Sequence, residues 1–182
     1  MELAGEDPAT NAVLPKLPPA SFSSMDQIPT RFSRFQYLQS AISSRPDTGR
    51  YLLWGRRSQN ILTGGEVSYE LESHCTCLGC VEGGFLLNGM ASGALTLDVD
   101  RFEGNISLAG DGMAMAASID LEKSSIFRAG GDVNLSFGGQ PIPLDQASIS
   151  GSLFGPAGEE AGFIYGLIGG DLTVSGAAIG TR

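Results

Sequence analysis

Residues 113–121 read Met113-Ala114-Met115-Ala116-Ala117-Ser118-Ile119-Asp120-Leu121. One set of alternate positions is Met, Met, Ala, Ile and Leu. The other is Ala, Ala, Ser and Asp. A period of two over such a run is that of a strand with one buried and one solvated face. A helix would repeat its apolar residues every three or four positions. The same period appears on both sides of this run. Val67, Tyr69 and Leu71 alternate with Glu66, Ser68 and Glu70, and Leu95, Leu97 and Val99 with Ala94, Thr96 and Asp98. Phe102, Ile106 and Leu108 follow, then Val133, Leu135 and Phe137, then Ile149 and Leu153. Phe163, Tyr165 and Leu167, and finally Leu172, Val174 and Ala178, complete the series.

The breaks between these runs are short and glycine-rich. They fall at Asp100-Arg101, Gly110-Asp111-Gly112, Gly130-Gly131, Gly138-Gly139-Gln140-Pro141, Gly155-Pro156 and Gly169-Gly170-Asp171. Glycine supplies the positive-φ positions of tight hairpins. Connections this short join antiparallel neighbours, because a parallel crossover needs a dozen residues or more. The expectation is an all-β chain with a meander of about eight strands between Glu66 and Ile179. Closure into a barrel removes both open edges of such a sheet. Glycines inside the runs, at Gly104, Gly151, Gly162, Gly166 and Gly176, fit the close backbone packing of a closed wall. The reading is therefore a soluble eight-stranded antiparallel up-and-down β-barrel over 47–182, with a two-sheet sandwich as the alternative. An outer-membrane barrel fits less well, since the outward set is rich in Glu, Asp, Ser and Asn rather than forming an apolar band.

Residues 1–46 read differently. Five of the nine prolines lie within residues 1–29, at Pro8, Pro15, Pro18, Pro19 and Pro29. This predicts a flexible Pro-rich N-terminal tail. Within it, Phe32, Phe35, Leu38 and Ile42 recur at helical spacing after Thr30, a capping residue, and before Pro46, so a short helix is expected over 31–43. No charged-then-apolar leader with a cleavage site opens the sequence as given, so no signal peptide is read in it.

The charge is uneven. The 182-residue chain carries a net charge of −9. Residues 1–63 hold seven basic and five acidic side chains, whereas 64–181 hold three basic and fifteen acidic. An acidic body repels polyanions, which argues against nucleic acid as a partner, and it attracts basic protein surfaces. The sequence has no apolar run long enough for a transmembrane helix. It matches no phosphate loop, and no serine lies in a Gly-x-Ser-x-Gly elbow. Asp98-Val99-Asp100-Arg101-Phe102 begins like a calcium loop and fails at its fifth position.

Two local features stand out. His74-Cys75-Thr76-Cys77-Leu78-Gly79-Cys80 gathers all three cysteines and the single histidine. His74, Cys75, Cys77 and Cys80 form a candidate zinc set. A disulfide from Cys80 to Cys75 or Cys77 is the other reading. A plain cysteine-bearing loop between the first two barrel strands is the third. The second feature is the pair Glu159-Glu160. Adjacent carboxylates in a turn point apart, so their expected role is to accept backbone N–H bonds across a long hairpin. Otherwise no catalytic or cofactor-binding residue is identified.

The stretch Gly151-Ser152-Leu153-Phe154-Gly155-Pro156-Ala157-Gly158-Glu159-Glu160-Ala161-Gly162 closely resembles the barrel signature of the transferrin-binding protein B family. Phe154, Gly155, Pro156, Glu159, Glu160 and Gly162 match it. Phe163 stands where a second glycine is usual, and Leu153 replaces a common aromatic. Leu95-Thr96-Leu97-Asp98-Val99-Asp100, Gly176-Ala177-Ala178 and Leu53-Trp54-Gly55-Arg56 are similar to further segments of such proteins. Related barrels occur in factor H-binding and haemoglobin-haptoglobin-binding surface lipoproteins. The resemblance implies an eight-stranded barrel of bacterial origin, at the cell surface or associated with the periplasm or outer membrane, without enzymatic activity. It implies a protein ligand that contacts barrel loops. The candidate contact segments are 72–92, 138–146 with Gln140 and Ile142, and 155–160. A metal-binding or redox-active thiol protein, and a purely structural domain of a larger protein, are the alternatives.

Overall fold

The computed structural model of the chain describes residues 38–43, 50–55, 57–58, 64–79, 85–122 and 125–182. Eleven strands occur among them: β1 Leu38–Ser43, β2 Arg50–Gly55, β3 Glu66–Leu78, β4 Phe85–Asp98, β5 Glu103–Gly110, β6 Met113–Leu121, β7 Ile126–Phe137, β8 Gln140–Ile142, β9 Gln146–Phe154, β10 Glu160–Gly169 and β11 Leu172–Thr181. Eight of them, β3–β7 and β9–β11, pair in sequence order, every pair antiparallel. The first and last then meet: β11 pairs β3 from Thr173 opposite Leu78 to Thr181 opposite Glu70. The wall is therefore a closed eight-stranded barrel rather than a sandwich. The short β8 folds back on β7 through Gly138-Gly139, where both glycines have positive φ.

Alternation places the core. On β6, Met113, Met115, Ala117, Ile119 and Leu121 are buried, and the residues between them are exposed. The barrel interior is filled by side chains, including Tyr69, Leu95, Leu97, Ile106, Met115, Phe127 and Phe163. Eight strands leave an interior just wide enough for such packing. The Phe127 and Phe163 rings meet edge to face, with centroids 6.0 Å apart. Tyr165 lies beyond Phe163, and its phenol takes the space that a Cβ on Gly176 would need.

Three expectations are corrected. Gly130-Gly131 is not a turn. Ala117 faces Val133 but Ile119 faces Ala129, so four residues of β7 span two of β6 and the strand bulges. A Cβ on Gly130 would collide with the Asp120 carboxylate. The β6–β7 turn lies nearer Ser125, a non-glycine residue with a φ of 63°, which hid it from a search for glycine. The cysteine stretch is not wholly a loop either, since β3 runs through Cys75 and Cys77 to Leu78. Third, the last six positions of the helix expected over 31–43 form β1, which pairs with β2 from Leu38 opposite Gly55 to Ser43 opposite Arg50. A short helix is marginal on its own, and a neighbouring strand satisfies the same backbone groups. The rest of that helix, and the Pro-rich tail before it, lie outside the described residues.

The β1–β2 hairpin forms its own two-stranded sheet. It lies against the outer face of β10 and β11, where Tyr51 and Leu53 join Phe154, Ala177 and Ile179 in a second apolar cluster. The barrel wall is thus buried on both sides at this place, which explains why β10 and β11 lose clean alternation.

Candidate functional site

The structure places three of the four candidate metal ligands, His74, Cys75 and Cys77, along β3. Successive residues of a strand face opposite sides. Cys75 and Cys77 point into the core, while His74 and Thr76 point outward. Cys77 is disulfide-bonded and therefore has no thiolate to offer a metal. Cys75 is a free, buried thiol. Cys80 lies outside the described residues. Among the described residues, no three His, Cys, Asp or Glu side chains converge as a metal site.

Cys75 belongs to a small polar cluster inside the barrel. The Ser73 and Tyr165 hydroxyls lie 2.9 Å apart, and Ser73 Oγ also donates to the Ala177 carbonyl at 3.0 Å. Burial pushes the Cys75 thiol up to about 11, against a smaller opposing effect of the Tyr165 hydrogen bond. Burial likewise raises Tyr165. Thiols held protonated and out of solvent are poor nucleophiles. The cluster satisfies polar groups in the core.

The 151–162 stretch closes one end of the barrel. Gly155 and Gly158 adopt positive φ in the turn between β9 and β10. Glu159 Oε2 accepts the Ala157 N–H at 3.0 Å, a bond within the turn rather than across the hairpin. Tyr69, from inside the barrel, donates to the Gly158 carbonyl at 2.6 Å. Arg182 holds the same turn through its backbone N–H to Glu159 and its guanidinium to Ala157. Phe154 is buried under the hairpin, Glu160 is buried, Gly162 is buried on β10, and Pro156 is exposed. These residues shape and pin a turn.

In the 138–146 segment, Gln140 is exposed at the start of β8. Ile142 pairs opposite Leu135 and is half-buried, packing on the core while lining the hollow described below.

Register reveals two outer features that composition alone does not. Glu66 stands opposite Asp98, Asp98 opposite Glu103, and Glu103 opposite Asp120. Four carboxylates thus form one unbroken row across β3, β4, β5 and β6 at one rim. Like charges directly opposite each other are destabilising. Part of this cost is offset locally. Asp98 Oδ1 accepts the N–H groups of Asp100 and Arg101, and Arg101 lies 3.6 Å from both Asp98 and Glu103. Toward the other rim the same wall is small and uncharged: Ser92, Ala109, Ala114, Ser136 and Pro141 form a matching row. A hollow of about 750 Å³ lies there, with no ionisable side chain in its lining. Recognition in that hollow would rest on shape, and at the acidic rim on charge.

No protein-family model matches the chain, and no curated protein matches it. Solved structures do. A mutant of transferrin-binding protein B from Haemophilus parasuis superposes with a TM-score of 0.63 at 12% identity, over 82% of this chain and 33% of that one. Isotype 1 transferrin-binding protein B from Neisseria meningitidis gives 0.61 at 13% identity, over 81% and 31%. A protein described as a surface lipoprotein gives 0.58 at 11% identity, over 89% and 83%. The chain spans about a third of the length of the transferrin-binding proteins it matches. At these identities the likeness shows the fold: this is a barrel of the transferrin-binding protein B type.

Proposed function

We propose that the chain is a non-catalytic module of a bacterial surface or envelope protein that binds a basic protein surface. The observation that carries this reading is the row Glu66, Asp98, Glu103 and Asp120, set directly opposite one another on a wall whose interior is already filled. Among the described residues the interior is filled by side chains, and the reading places recognition on the outside. Fields of one sign steer and select partners of the other. The surface location draws support from the fold, and from the disulfide at Cys77, since such bonds persist in oxidising compartments. The loop 138–146 borders the uncharged hollow and gives the partner a second point of contact.

The test is capture from a cell-envelope extract and from host serum with the full chain as bait. A triple variant, Glu66→Gln, Glu103→Gln and Asp120→Asn, serves as the control. The reading expects a basic protein that the wild type retains, that high salt releases, and that the variant does not hold. Equal capture by both baits would contradict it, and capture by neither would leave the chain a structural domain.

A further inference from the structure

The seam between β7 and β9 is the short one in the barrel wall. It holds three residue pairs, from Ile126 opposite Ser152 to Arg128 opposite Ser150. The other seven seams hold seven to twelve pairs each. Past Arg128 the ladder on this side of β7 stops, and it resumes at Leu135, which faces Ile142 of β8. Residues 129–134 on one wall and 143–149 on the other thus flank a window, and among the described residues no ladder crosses it.

The direction of the backbone groups follows from the bonds nearby. Each residue of an antiparallel strand turns its N–H and C=O to one neighbour, and the next residue turns them to the other. Leu153 donates its N–H to Ser125 and accepts from Ser58 with its carbonyl, so it turns away from β10. Ala147, at the same parity of β9, turns the same way. On β7, the Gly138 N–H donates to Gly112 on the β6 side. Phe137, Leu135 and Val133 therefore turn the other way, to β8 and then to the window. Ala147 and Val133 aim their backbone groups into the window from its two walls, and neither has a ladder partner there. Ala147 is exposed, although Ile149, Gly151 and Leu153 at the same parity are buried. Gly130, Gly131 and Asp132 on the facing wall are exposed too. An unpaired strand edge is a template for an added strand.

The surroundings of the window define its occupant. Asp132 on one wall and Asp145 on the other are exposed carboxylates, and Asp145 also accepts the Gly170 N–H at 3.3 Å. Arg128, at the foot of the window, is already 3.3 Å from Glu122. At the other end, Val133 and Asn134 from one wall and Pro143 and Leu144 from the other line the uncharged hollow. Charge therefore favours a cation beside the two carboxylates, and the hollow favours an apolar side chain. We propose that this window is a binding site for an extended peptide of a partner protein. The peptide bonds as a strand to the Val133 and Ala147 backbone, sets a lysine or arginine beside Asp132 and Asp145, and places an apolar side chain in the hollow. The site lies apart from the row of Glu66, Asp98, Glu103 and Asp120 and does not depend on a partner there.

The experiment screens a displayed library of random peptides of about seven residues, a usual strand length, on the full chain. The best binder is then titrated by fluorescence anisotropy. Ala147→Pro is the control: the N–H it removes faces the window and serves no ladder, and strand edges tolerate proline. Enriched peptides are expected to carry Lys or Arg beside an apolar residue, to bind Ala147→Pro about tenfold or more weakly, and to slow amide exchange at Val133 and Ala147. Asp132→Lys should weaken them as well, while the triple variant of the acidic row should hold them as the wild type does. Without peptide, the Val133 and Ala147 amides should exchange ahead of those of Leu135 and Gly151, which are paired on the same side of the wall. Exchange of all four at one rate would overturn the proposal. So would the absence of any enriched peptide, equal binding to Ala147→Pro, or a dimer in sedimentation whose interface protects these amides. Should Ala147→Pro not fold, amide exchange of the wild type with and without peptide decides alone.

Discussion

Reversing one charge in the acidic row should stabilise the protein. Glu103 stands between Asp98 and Asp120 on neighbouring strands, so Glu103→Lys turns two repulsive cross-strand pairs into two attractive ones. Cross-strand charge pairs are worth roughly 0.2–1 kcal/mol each. The substitution loses the contact of Glu103 with Arg101, at 3.6 Å between side chains 58% and 74% exposed. An exposed pair of that kind contributes about 0–1 kcal/mol. The net expectation is a gain of about 1 kcal/mol, or roughly 2–4 °C in Tm for a chain of this size. Thermal unfolding followed by circular dichroism at low salt and in ~1 M NaCl is the assay. The gain should shrink as salt shortens the screening length from about 10 Å at 0.1 M to about 3 Å at 1 M. A loss of stability at low salt, or a gain untouched by salt, would refute the register from which the row is drawn.

Other outcomes follow from the packing and the buried hydroxyls and thiol. Gly151→Ala drives a Cβ into the Phe127 ring and the Phe163 side chain, and should cost about 1–3 kcal/mol in urea unfolding. Phe163→Ala, which empties the centre of the aromatic cluster, should cost about 3–5 kcal/mol by the same measurement. Burial raises the Cys75 thiol to about 11 and the Tyr69 phenol to about 12, so both are favoured in neutral form by folding. Their contribution is intact below the unfolded values and is lost as pH rises through the folded ones. Denaturation midpoints should therefore hold to about pH 9 and fall between pH 9 and 12, and a midpoint still rising in that window would contradict the burial of these groups. Thiol titration of native protein should leave Cys75 unmodified until denaturant is added.

The strands were legible where one face is wet. β5 and β6 could be read from Gly104–Ala109 and Met113–Leu121 because water on the outside selects Asn105, Ser107, Ser118 and Asp120 between the core residues. The turn signature at 151–162 was legible because a tight closure needs glycine at 155 and 158. Legibility failed where two layers cover the wall. Ile164, Ala177 and Ile179 are apolar because a hairpin lies on them, and period-two reasoning has no place for a second buried face. The Gly130-Gly131 pair looked like a turn, since a bulge and a hairpin ask for glycine for the same steric reason. The carboxylate row could not be seen at all in one dimension. Glu66 and Asp120 are 54 positions apart in sequence, and only the register of three strand pairs brings them into line.

Closure of the sheet by its first and last strands is the claim on which the core, the acidic row and the seat of the hairpin all depend. The direct measurement is a set of cross-strand proton contacts by nuclear magnetic resonance between β3 and β11. The structure requires contacts between backbone protons of Cys75 and Gly176, of Ser73 and Ala178, and of Leu71 and Gly180, with slow amide exchange on both strands. Absence of these contacts, with fast exchange along the facing edges of β3 and β11, would mean that the sheet is open and the account is wrong.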